Sequence, residues 1–112
     1  MHKTSSWPES FNTEIQSALH ARQAGKEGQA RVCARRAAGI AIGEYFRRQG
    51  VPYPDPSAVA RLRYLQNIPG ISPTIQHSAG LLLLRVTPAY TLPVEADLIA
   101  EARLLAKELL GE

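Results

Sequence analysis

The chain is 112 residues long, 45% hydrophobic, 21% charged and 6% aromatic, with a formal net charge of +3. That length suits one domain and leaves little room for two separate cores, and the apolar content excludes wholesale disorder. The longest apolar run, Ala37-Ala38-Gly39-Ile40-Ala41-Ile42-Gly43, is far shorter than the roughly 20 residues of a membrane span, so no membrane contact is expected.

No apolar stretch follows the basic start His2-Lys3, which argues against a secretory signal. The single Cys33 allows neither an internal disulfide nor a cysteine zinc cluster. The expected compartment is a reducing cytoplasm. The expected organisation is an N-terminal arm over 1–9 and one helical-bundle domain over 10–110.

In chain order, Pro8 suits a first helical turn, and Phe11, Ile15, Ala18, Leu19 and Arg22 recur at three- and four-residue steps. This spacing predicts an amphipathic helix over 8–24. Gly25 and Gly28 break it, and so short a link predicts that the next helix returns antiparallel. The second helix, over 28–49, has an inner face of Ala30, Cys33, Ala34, Ala37, Ala38, Ala41 and Tyr45, with Arg31, Arg35 and Arg36 along its sides. Small residues let helix axes approach closely, which makes this helix the expected centre of the bundle. Gly39 and Gly43 each cost up to about 1 kcal/mol of helix propensity, so close packing or a ligand-facing surface is expected there.

Gly50 ends the second helix, and Val51-Pro52-Tyr53-Pro54-Asp55-Pro56 reads as a loop because its prolines remove donors and favour extended neighbours. Ser57 is the expected cap of a third helix with Val59, Leu62, Leu65 and Ile68 on its buried stripe. Pro69-Gly70 stops it. Ser72-Pro73 opens a fourth helix running to Leu84 before Pro88, and 87–93 reads as irregular. The fifth helix, over 94–110, carries Leu98, Ala102, Leu105 and Leu109, with Glu95 and Asp97 in its first turn and Lys107 near its last. The fold class expected is all-α, an antiparallel up-and-down bundle of about five helices.

Charge is unevenly placed. Arg22, Lys26, Arg31, Arg35, Arg36, Arg47 and Arg48 face only Glu27 and Glu44 in the front half, whereas the tail from Ala89 is acidic. This pattern fits either an anionic ligand or charges neutralised within the bundle. His20 and His77 lack the spacing of a helical metal site, and no dinucleotide or phosphate loop is present, so neither metal nor cofactor is expected. His77, beside a leucine run, reads as a hydrogen-bonded structural residue, His20 as solvent-facing, and Cys33 as a packed thiol.

The segment Glu27-Gly28-Gln29-Ala30-Arg31-Val32-Cys33-Ala34-Arg35-Arg36-Ala37-Ala38 followed by Gly39-Ile40-Ala41-Ile42-Gly43-Glu44-Tyr45 resembles the second helix of the HEPN family. The later order is similar too: a helix with Leu62 and Leu65, one ending Leu81-Leu82-Leu83-Leu84-Arg85, a break containing Tyr90, and a final helix with an acidic start. The resemblance implies a HEPN-like bundle that dimerises and pairs with a nucleotidyltransferase, in the manner of toxin–antitoxin modules. RNA-cleaving members of that family carry an Arg and a His separated by four to six residues. Here no such pair exists, and Tyr90 follows Arg85 after four residues instead. A phenol with an ordinary pKa near ~10 is a poor base at neutral pH.

The expectation is therefore a non-catalytic HEPN-like binding subunit, a homodimer, binding a nucleotide or RNA phosphate through Arg31, Arg35 and Arg36, whose guanidinium forks match phosphate oxygens. The alternatives are a structural or protein-interaction helical protein without ligand, and an atypical metal-independent ribonuclease using Arg85 and Tyr90.

Overall fold

The computed structural model describes residues 6–85 and 96–111. Among these residues there are five helices: α1 (Trp7–Gln23), α2 (Glu27–Gln49), α3 (Ala58–Gln66), α4 (Pro73–Leu82) and α5 (Leu98–Leu110). The described residues contain no strand, and their fold is all-α.

In α1, Pro8 occupies the first turn and Phe11, Ile15 and Ala18 are buried at the expected spacing, joined by Trp7 and Ala21. The helix thus begins inside the 1–9 stretch expected as an arm. The reason is Trp7, only 8% exposed, whose ring meets Phe11 edge-on with centroids 5.9 Å apart. Gly25 then takes φ +77°, and the Lys26 amide donates to the Ala21 carbonyl at 2.8 Å. With only residues 24–26 between them and extensive packing along their lengths, α1 and α2 form an antiparallel helical hairpin.

Helix α2 lies at the centre and packs against α1, α3 and α5. Its alanines at 30, 34, 37, 38 and 41 are fully buried, so at these positions no side chain longer than a methyl holds the neighbouring helices away. The two interior glycines serve close packing. A methyl group at Gly39 would stand 2.9 Å from the Ala58 Cβ, and one at Gly43 would stand 2.5 Å from Arg61 Nη1. Arg61 lies across this notch and donates from Nη1 to the Gly39 carbonyl at 2.9 Å.

Gly50, at φ +69°, ends α2 in a left-handed cap. The proline-rich loop folds back through Tyr53, which packs on Phe46 at 5.9 Å and on Tyr64 of α3 at 4.3 Å. Ser57 caps α3 by accepting from the Ala60 amide, and Ser72 caps α4 by accepting from the Ile75 amide, both at 3.2 Å. The third helix buries Leu62 and Leu65 as expected, while Val59 and Ile68 are half-buried.

Two boundaries differ from the sequence reading. Helix α4 stops at Leu82 rather than Leu84, with Leu83 as its C-cap. Helix α5 starts at Leu98, and Asp97 stands outside it as the N-cap, where its carboxylate accepts from the Ile99 and Ala100 amides at 3.1 and 3.2 Å. A carboxylate that satisfies two otherwise unpaired amides is placed better there than one turn inside the helix. Residues 86–95, and with them the expected irregular link and Glu95, lie outside the described residues. Helix α5 buries Leu98, Ala102 and Leu105 against α2 and α4.

Candidate anion-binding site

Arg31 and Arg35 lie one turn apart on α2, and their side chains reach a surface hollow of about 490 Å³. Helix α3 contributes Val59 and, one turn on, Arg63; the segment after α4 contributes Leu83, Leu84 and Arg85. Gly28 and Val32 complete the lining.

Arg35 is the best-fixed member. Its Nε donates to the Leu82 carbonyl at 2.7 Å and its Nη2 to the Leu84 carbonyl. The Leu82 carbonyl closes α4 and the Leu84 carbonyl lies just beyond its C-cap; at a helix end the last carbonyls lack amide partners and the dipole is negative, so a guanidinium is well placed there. One side chain thereby pins the α4 terminus, and Arg85 with it, against α2. Burial lowers the Arg35 pKa from its ordinary value, and the charges of Arg31 and Arg85 lower it further. Arg31 is half-buried, and its Nε is buried without a hydrogen-bond acceptor among the described residues. Arg63 and Arg85 are exposed.

Among the described residues, no carboxylate lines the hollow. The described ion pairs are elsewhere: Arg22 bridges Glu27 at 2.9 Å and Asp97 at 3.1 Å, and the buried Glu44 receives Arg47 at 2.6 Å and Arg48 at 2.8 Å. The acidic partners of the basic front half are thus engaged at the α1–α2–α5 junction and along the second half of α2. Four guanidiniums remain around one hollow with no ion-pair partner among the described residues. Concentrated positive charge beside a low-dielectric wall attracts anions. Among the described residues, the lining consists of guanidiniums and apolar groups, an arrangement suited to holding an anion.

Of the residues expected from sequence to bind phosphate or act in catalysis, the fold brings Arg31, Arg35 and Arg85 together. Arg36 projects from a different side of α2 and lines a second hollow of about 240 Å³ with Glu14 and Arg61. Tyr90 lies outside the described residues. Arg63 was not legible as a site residue, because between Leu62 and Tyr64 it reads only as the solvent side of α3. His20 is exposed as expected. His77, expected as a hydrogen-bonded structural residue, is exposed as well, because α4 turns Ile75, Ser78, Ala79 and Leu82 inward and leaves residue 77 outside. Cys33 is 3% exposed among alanines, a packed thiol with the Gln29 amide 3.7 Å away. Among the described residues, no group of three or more His, Cys, Asp or Glu is placed to hold a metal ion, and no helix is long and apolar enough to cross a membrane.

The chain matches no family model, no curated protein and no solved structure.

Proposed function

We propose that this chain is a HEPN-like binding subunit whose arginine hollow holds the phosphate groups of a nucleotide or RNA. The observation that carries the binding reading is the convergence of Arg31, Arg35, Arg63 and Arg85 on one hollow without a carboxylate among its described lining residues. Guanidinium forks match phosphate oxygens in charge and plane, and charge-assisted bonds of this kind are the strong ones. Arg35 is held in place by two carbonyls before any ligand arrives, so less side-chain entropy is lost on binding. An arriving anion also relieves the mutual repulsion of Arg31, Arg35 and Arg85.

The HEPN-like part of the reading rests on the α2 residue pattern and the order of the later helices. A homodimer paired with a nucleotidyltransferase belongs to the same reading. The binding claim is tested by titrating a fluorescent ATP analogue and a short single-stranded RNA at low and moderate salt. Arg31→Gln and Arg35→Gln are expected to weaken binding at least about tenfold each, the scale of a lost charged hydrogen bond. Arg36→Gln is expected to leave it unchanged. Equal binding by all three variants and the parent removes the proposal.

A further inference from the structure

We infer that the hollow takes a chain of contiguous phosphates, free or carried by a nucleoside, and recognises its charge without reading a base. This rests on the phosphate reading above and narrows it. Arg31, Arg35, Arg63 and Arg85 place four positive charges around one hollow, with no acid among its described lining residues to offset them. A single phosphate would leave most of that charge uncompensated, whereas a triphosphate carries about as much negative charge as the four guanidiniums carry positive. The volume points the same way. About 490 Å³ is the size of a small-molecule site, not of an extended groove that follows a nucleic-acid strand.

The remaining lining explains the indifference to base. Val32, Val59, Leu83 and Leu84 offer an apolar wall against which a ring face can lie. Among the described residues, the lining holds no Asn, Gln, Ser, Thr, Asp or Glu side chain, so none of them offers a side-chain acceptor to an amino or imino group on a base edge. The donors that are available sit on the guanidiniums that the phosphates occupy. Arg35 adds a geometric limit: with Nε and Nη2 already bonded to Leu82 and Leu84, it presents its remaining edge to one phosphate while Arg31, Arg63 and Arg85 meet the next ones.

The test is isothermal titration of the full chain with orthophosphate, tripolyphosphate, AMP, ATP, GTP, UTP and a single-stranded oligouridylate, each at the same ionic strength. Tripolyphosphate, ATP, GTP and UTP are expected to bind within about fivefold of one another. AMP and orthophosphate are expected to bind about 100-fold more weakly, following roughly tenfold for each charge-assisted hydrogen bond that a lone phosphate cannot make. ATP binding tighter than tripolyphosphate identifies a nucleoside as the carrier, and the reverse order identifies the free chain. AMP binding as tightly as ATP overturns the contiguous-phosphate inference and leaves the phosphate reading standing. So does a strong preference for one base, or binding of the oligouridylate alone. Binding by none of the seven overturns both. The double variant Arg31→Gln with Arg85→Gln, checked for native helicity by circular dichroism, must lose the preference for triphosphate over monophosphate; keeping it places the ligand elsewhere and overturns the inference.

Discussion

Replacing Gly39 with Ala separates local propensity from tertiary packing, because the two act with opposite signs. In the interior of α2, the substitution gains about 1 kcal/mol of helix propensity. The new methyl group, however, would stand 2.9 Å from the Ala58 Cβ and 3.0 Å from its Cα. Neither atom is the free end of a flexible side chain, so α3 must move, and overpacking of this kind costs about 1 to 3 kcal/mol. Movement of α3 also stretches the bond from Arg61 to the Gly39 carbonyl, a further loss on the order of 1.5 kcal/mol for a charged donor. Packing therefore outweighs propensity, with a net destabilisation of about 1.5 to 3.5 kcal/mol and a melting midpoint lowered by about 6 to 15 °C for a domain of this size. Gly28→Ala is the matched control, since a methyl group there meets nothing within 4 Å; it is expected to stabilise by up to about 0.5 kcal/mol. Paired thermal melts decide the matter. A Gly39→Ala midpoint at or above that of the parent refutes the close-approach account of α2.

Other consequences are measurable on the same footing. Arg35→Met keeps the aliphatic stem but leaves the Leu82 and Leu84 carbonyls without their guanidinium, and denaturant unfolding is expected to show a loss of about 2 kcal/mol. Leu105→Ala removes a fully buried side chain between α5 and its neighbours and is expected to cost about 2 to 5 kcal/mol in the same assay, a large share of a small domain's stability. Burial alone would raise the Asp97 carboxyl, but the Ala100 amide, the Arg22 guanidinium and the Ile99 amide together hold it below its ordinary value. Its contribution to stability is thus complete above about pH 4 and is lost as pH falls through the lower folded-state value. Urea midpoints between pH 5 and 3 should fall less steeply for Asp97→Asn, which retains capping ability, than for the parent. Structured RNA incubated with the protein in chelator is expected to stay intact, because the described lining of the hollow presents no histidine, cysteine or carboxylate as a base; cleavage abolished by Arg85→Ala would reverse that expectation.

The parts of this fold written into local patterns were legible in the sequence. Ser57 and Ser72-Pro73 mark helix starts through caps that satisfy nearby amides, and Gly50 marks a stop through its left-handed φ. The alanine face of α2 points to a central helix because only close neighbours make such a face useful. Local pattern leaves open whether Gly39 and Gly43 face a ligand or another helix. That depends on Ala58 and Arg61, residues brought there by a loop of no regular period. The start of α5 is ambiguous for a related reason, since an acidic residue near a helix start suits either the first turn or the cap, and only the hydrogen bonds to Ile99 and Ala100 decide between them.

The arginine site was half legible. Arg31 and Arg35 share a side of α2 by helical spacing alone. Arg36 is adjacent in sequence but rotated about 100° around the helix, which is enough to send it to a different hollow. Arg63 and Arg85 join the site only because α3 and the end of α4 dock beside α2, and no local signal encodes that docking.

The most direct measurement of the central claim is a triphosphate titration followed on the arginine Nε–Hε resonances of the labelled protein. The Arg31, Arg35, Arg63 and Arg85 signals are expected to shift together and saturate on one curve, with Arg36, Arg47 and Arg48 unmoved. Shifts confined to Arg36, or spread evenly over every arginine, would contradict the account.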